Sequence, residues 1–234
     1  MGLPKHSRIR VNKLASPTFN KLKYFPHQFK TDNLNCRMNY LAHAYLSFGN
    51  DPVLIGNMIS DFVKGKRKFN YPADIQKGIM LHRMIDGFTD AHLATKNAKK
   101  IFKSSADAYA PVFVDVIYDH FLAVDETEFP LNKLEFFASE TYHVLKQHQQ
   151  LLPEKFSNML PYMINQNWFL NYRFNWGVEN SFCSIFRRAK YLEKNDKVLQ
   201  CFYDNYDALH DYYKQFFPEV KNFAFNEYNI LVQE

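Results

Sequence analysis

The chain has 234 residues, enough for one domain with a sizeable core, and its 23 Phe and 15 Tyr against only 7 Gly favour helices over a turn-rich β fold. The formal net charge of +5 comes from residues 1–37, which carry eight Lys or Arg against one acid, Asp32; the remainder holds 21 basic and 23 acidic residues, so the body has no cationic footprint for nucleic acid. Cys36, Cys183 and Cys201 are isolated and odd in number, which indicates neither a disulfide framework nor a zinc knuckle and fits a reducing, cytoplasmic setting.

Residues 1–37 lack the apolar core of a secretory signal and read as a basic extension that is poorly ordered. They resemble a transit peptide in charge but are only weakly amphipathic; Met38 is the alternative start. Nowhere does the chain reach the roughly 18 apolar residues of a membrane span. From Met38 onward it reads as successive helices with no strand pattern, and the expected fold is all-α, a single bundle of about eight to nine helices.

The first helix, Asn39–Phe48, carries His43 on an apolar surface and ends at "GNDP". The second, Val53–Val63, ends with Asp61. An acid there opposes the helix dipole, so it calls for a cation, either a metal or Lys64. "KGKRK" follows as a basic turn. Pro72 then opens a helix to about Asp90. Within it, "HRMIDGFTDAH" sets His82, Asp86 and Asp90 four residues apart, on one stripe of an otherwise apolar helix. Buried carboxylates without partners cost several kcal/mol each, so this stripe points to a bound cation.

A short helix, Ala94–Lys103, precedes "APVFVDVIYDHFLAV", Ala110–Val124, where only Asp115, Asp119 and His120 interrupt an apolar run. That helix belongs at the centre of the core. Leu131–Gln149, Glu154–Asn171, Trp176–Tyr191 and Asp196–Phe217 complete the set, with Pro218 expected to stop the last helix and 219–234 left as a tail. Histidines and carboxylates without clustered thiolates suit a hard or borderline divalent ion: manganese, magnesium or iron, with zinc also compatible. Such an ion lowers the pKa of bound water and clamps a phosphoryl oxygen. Walker, GxGxxG and GxSxG signatures are absent from the sequence.

The blocks "MNYLAHAYLSF", "LIGNMISDFVKG", "GIMLHRMIDGFTDAH" and "VDVIYDHFL" resemble, in order, those of the bacterial acyl carrier protein phosphodiesterases, and "NWFLNYRFNWGVENSFCSIFRRAKY" resembles their later helices. The likeness spans about Met38 to Pro218. It implies an all-α relative of the HD-type metal-dependent phosphohydrolases, an enzyme releasing 4′-phosphopantetheine from the serine of the acidic holo acyl carrier protein, with Mn2+ preferred. Carried onto this chain, it implies metal ligands drawn from His43, Asp61, His82, Asp86 and Asp119. His82, Asp86 and Asp119 would serve catalysis, with His120 a candidate to protonate the departing seryl oxygen. Arg83, Lys64 and Arg67 are candidates to hold phosphate or the carrier protein. Two other readings of the same residues are a helical protein with a structural metal or salt-bridge network, and a phosphohydrolase acting on a nucleotide.

Overall fold

The computed structural model describes residues 39–192 and 195–233, and the extension expected at 1–37 lies outside them. Among the described residues the fold is all helix, without strands. In chain order the helices are α1 (Tyr40–Tyr45), α2 (Asp51–Ile59), α3 (Ala73–Ala91), α4 (Leu93–Ile101), α5 (Lys103–Ala106), α6 (Ala110–Val124), α7 (Lys133–Gln147), α8 (Glu154–Asn165), α9 (Trp168–Asn171), α10 (Asn175–Arg188), α11 (Asp196–Asp204) and α12 (Tyr206–Gln233). Nine of these have seven or more residues, in line with the eight to nine expected. None is long and apolar enough to cross a membrane.

The apolar run of α6 makes it the central helix: 12 of its 15 residues are buried, including Asp115, Asp119 and His120. Around it the core is strongly aromatic, with Phe113 edge-on to Phe182 at 4.8 Å and Tyr118 stacked on Phe216 at 4.9 Å. Such ring geometries add a modest attraction to the large area each ring removes from water.

Two boundaries differ from the sequence reading by a break. Glu154–Asn171 divides because Asn167 takes a left-handed backbone conformation (φ 45°) and caps α9. Asp196–Phe217 divides at Asn205. A third difference is a correction: Pro218 does not stop the last helix but lies inside α12, which continues to Gln233. A proline within a helix loses one hydrogen bond and crowds the preceding turn, at about 3 kcal/mol. Burial of the far half offsets that cost. Val220, Ala224 and Leu231 are buried, Phe223 stacks on Phe88 of α3 at 4.6 Å, and Phe225 and Tyr228 both meet Phe48 at 5.2 Å. The segment 219–233 is therefore part of the packed body.

Helices α2 and α3 approach each other very closely. The contact is made by glycine against glycine. A Cβ on Gly78 would stand 2.2 Å from Val53 O and 2.9 Å from Gly56 Cα, and one on Gly56 would stand 2.1 Å from Ile75 O. Both obstacles are backbone, so no side chain can rotate away. Gly78→Ala is expected to cost at least the 1–3 kcal/mol of an overpacked site and to lower the melting temperature by at least about 2 °C. Thermal unfolding checks this; an unchanged melting point would mean the two helices part freely.

Candidate metal centre

Four short segments converge on one buried point. α1 supplies His43, α2 supplies Asn57, the 3-10 turn Ser60–Phe62 supplies Asp61, and α3 supplies His82 and Asp86. The His43 and His82 rings stack at 3.8 Å with 16° between planes. His43 Nε2 lies 3.4 Å from Asp86 Oδ1, and His82 Nε2 lies 3.4 Å from Asp86 Oδ2 and 3.5 Å from Asp61 Oδ1. Both Nε2 atoms are buried and make no hydrogen bond. Separations of 3.4–3.5 Å are too long for good hydrogen bonds. One ligand atom from each of His43, His82 and Asp86 falls within a 4.8 Å cluster, the spread at which a single cation can touch all three. The donor set, two imidazoles and a carboxylate with a second carboxylate alongside, suits a first-row divalent ion.

The opposite edge of each ring is held firmly. His43 Nδ1 is 2.8 Å from Asn57 Oδ1 and His82 Nδ1 is 2.8 Å from the main-chain oxygen of Asn57. Asn57 O belongs to the last turn of α2, whose carbonyls lack intrahelical donors, so a side-chain N–H is the natural partner. The i,i+4 spacing of His82 and Asp86 on α3 does the rest, placing imidazole and carboxylate one above the other.

The charges balance unevenly. Burial alone would lower the His82 pKa, but the carboxylates of Asp61 and Asp86 overcome it and raise it to about 9. Burial and the neighbouring His82 charge lower His43, which is neutral. Asp86, which burial would raise, is pulled below the usual carboxylate range by His43 and His82. Without a metal, one imidazolium faces the carboxylates.

Asp119 is the metal candidate that the fold does not bring into this cluster. Its two oxygens accept the main-chain N–H groups of Leu41 (3.0 Å) and Ala42 (2.9 Å), capping the start of α1. Burial pushes its carboxyl well above the usual range, and those two donors pull it partly back. Its part is to fix the helix that carries His43. His120 also lies elsewhere: Nδ1–H donates to Tyr172 O at 2.6 Å and Nε2 accepts from Tyr206 Oη at 2.8 Å, which occupies both nitrogens. Asp90, on the sequence stripe, pairs with Lys99 at 2.8 Å instead. Arg83 donates from Nη2 to Val63 O at 2.7 Å, bracing the segment that follows Asp61. Lys64 and Arg67 are exposed on and beside the 3-10 turn Gly65–Asn70. Asn57 is the residue that sequence reasoning missed. An asparagine inside an apolar helix, "LIGNMIS", was the available signal.

Fold and site together define an all-helical protein with a buried histidine–carboxylate centre between its first three helices. The family model described as acyl carrier protein phosphodiesterase matches residues 38–220, and the chain belongs to that family. It is 31% identical over 194 residues to the acyl carrier protein phosphodiesterase of Photorhabdus laumondii, covering 81% of this chain and 96% of that protein. With the protein of the same name from Escherichia coli K12 (strain DH10B) the identity is 31% over 190 residues, 78% of this chain and 95% of that one. No solved structure matches the chain.

The pKa shifts fix a stability profile for the metal-free protein. His82 binds its proton more tightly when folded, so its contribution is complete below about pH 6.5 and is lost as pH rises through about 9. His43 is held neutral, so its contribution is lost as pH falls below about 6.5. Asp86 adds to that loss below about pH 4. Chelator-treated protein should therefore lose thermal stability as pH rises from about 6.5 through about 9. A divalent ion held by His82 would displace its proton, so added Mn2+ should raise the melting temperature more at pH 8.5 than at pH 6. A metal-induced shift independent of pH would contradict this.

Proposed function

We propose that this chain hydrolyses the phosphodiester joining 4′-phosphopantetheine to the serine of holo acyl carrier protein, releasing apo carrier protein. His43, His82 and Asp86 hold the divalent ion the reaction uses, with Asp61 as a further ligand. Mn2+ is the first choice, with Mg2+, Fe2+ and Zn2+ compatible with the same donors. The carrying observation is the pair of buried Nε2 atoms turned onto one carboxylate, in a chain whose relatives are named for this activity. The ion, when bound, supplies an acidified water and a clamp for a phosphoryl oxygen. The protein's own part is to hold the imidazoles in place, to keep Asp86 ionised, and to present the carrier protein.

Presentation falls to the basic turn. No acidic residue occurs between Asp61 and Asp74, while Lys64, Lys66, Arg67 and Lys68 all do. Phe69 stands 63% exposed beside them, with Lys68 Nζ 5.1 Å from its ring centre. A cationic turn with an exposed aromatic, a few residues from Asp61, suits an acidic protein surface. A cytoplasmic setting accords with the free thiols of Cys183 and Cys201.

The direct test is to incubate the protein with holo carrier protein and Mn2+ and follow loss of the prosthetic group by mass spectrometry. Asp86→Asn removes the charge at the centre, and release of 4′-phosphopantetheine should fall at least about 10²-fold, on the scale of the several kcal/mol a metal provides. Release at the wild-type rate would remove Asp86 from the mechanism. Lys66→Glu with Arg67→Glu should raise KM for holo carrier protein at least about tenfold. Hydrolysis of the small diester bis(p-nitrophenyl) phosphate should be unaffected, because a rim charge acts on encounter. Equal losses on both substrates would contradict a docking role.

A further inference from the structure

Asn57 is fully buried, and its side-chain amide and main-chain oxygen are all spent on and beside the site. Nδ2 donates to His43 O at 2.8 Å and to Ser47 Oγ at 3.1 Å. Because His43 O can only accept, the amide is oriented with Oδ1 toward His43 Nδ1. Ser47 agrees with that orientation, since its own hydroxyl proton goes to His43 O at 2.9 Å. Oδ1 is an acceptor, so the proton on the 2.8 Å contact belongs to His43 Nδ1. The main-chain oxygen of Asn57 is likewise an acceptor, so His82 Nδ1 also carries a proton.

We propose that Asn57 is the positioning residue of the centre: one side chain and its own carbonyl hold both histidines as Nδ1–H, so that both Nε2 atoms face Asp86. A metal takes the Nε2 lone pair only if the proton sits on Nδ1, and groups that fix a ligand histidine in this way typically change metal affinity 10- to 100-fold when removed. Here both such groups belong to one residue. The stacking of the rings at 3.8 Å follows, because both Nδ1 edges are tied to a single residue. The inference rests on the metal reading proposed above, yet concerns a proton position that exists with or without the ion.

Long-range 15N–1H NMR of the metal-free wild-type protein reads that position directly. His43 should report Nδ1–H. In Asn57→Leu, of similar size but with no side-chain acceptor, His43 should shift toward Nε2–H, and Zn2+ affinity by calorimetry should fall at least about tenfold. Asn57→Asp keeps an acceptor for His43 Nδ1–H and should keep the wild-type tautomer, which separates loss of the acceptor from loss of fold. Wild-type His43 found as Nε2–H overturns the proposal whatever the variants do. So does an Asn57→Leu protein that is folded and binds Zn2+ as the wild type does. A wild-type protein with His43 as Nδ1–H that binds no divalent ion supports the role of Asn57 and rejects the metal reading instead.

Discussion

The approach of α2 to α3 at Gly56 and Gly78 governs everything around it. Asn57 follows Gly56, and His82 lies one turn beyond Gly78. The crossing that leaves no room for a Cβ at either glycine is also what brings Asn57 O to 2.8 Å from His82 Nδ1. If the helices separated by the width of a methyl group, that bond would be lost and two buried polar groups left unpaired. Each such group costs about 1–3 kcal/mol. The glycines therefore matter for where they allow backbone to go, and the centre inherits its precision from helix packing.

A second fixed point comes from the other side. Asp119, in the most buried helix, holds the amino end of α1 through two main-chain N–H groups, and His43 follows within one turn. The six residues of α1 are too few to be stable alone, so tertiary contacts must set its position. The histidines are thus anchored from opposite directions, His82 through α3 and His43 through α1 and α6, and they meet at Asn57. What their Nε2 edges face is a carboxylate pair with one imidazolium proton between them. A divalent cation in place of that proton would satisfy the same carboxylates and leave both imidazoles free to be ligands.

The helical fold was legible because periodic apolar patterns dominate from Tyr40 onward, and α6 declared itself central by its near-continuous apolar run. His82 and Asp86 were legible for a related reason: two polar residues one turn apart on an otherwise buried face have no cheap explanation. Asp119 stood out on the same grounds but serves α1 as a cap. Burial shows that an acid needs a partner without showing which. Asn57 was overlooked because an amide is neutral and a single one in an apolar helix breaks no rule. Its importance lies in contacts to residues 14 and 25 positions away. Pro218 misled because the local penalty is real, while the compensating contacts of Val220, Phe223 and Ala224 with distant helices are invisible to a local reading.

The proposed chemistry requires that His43, His82 and Asp86 together hold a single divalent cation. Crystals of the protein grown with Mn2+, with anomalous scattering recorded at the manganese edge, test it most directly. A single strong peak is predicted, about 2.0–2.3 Å from His43 Nε2, His82 Nε2 and an Asp86 oxygen, the usual length of first-row metal–ligand bonds. A peak elsewhere, or none beside well-ordered histidines still stacked on each other and hydrogen-bonded to Asn57, would contradict it.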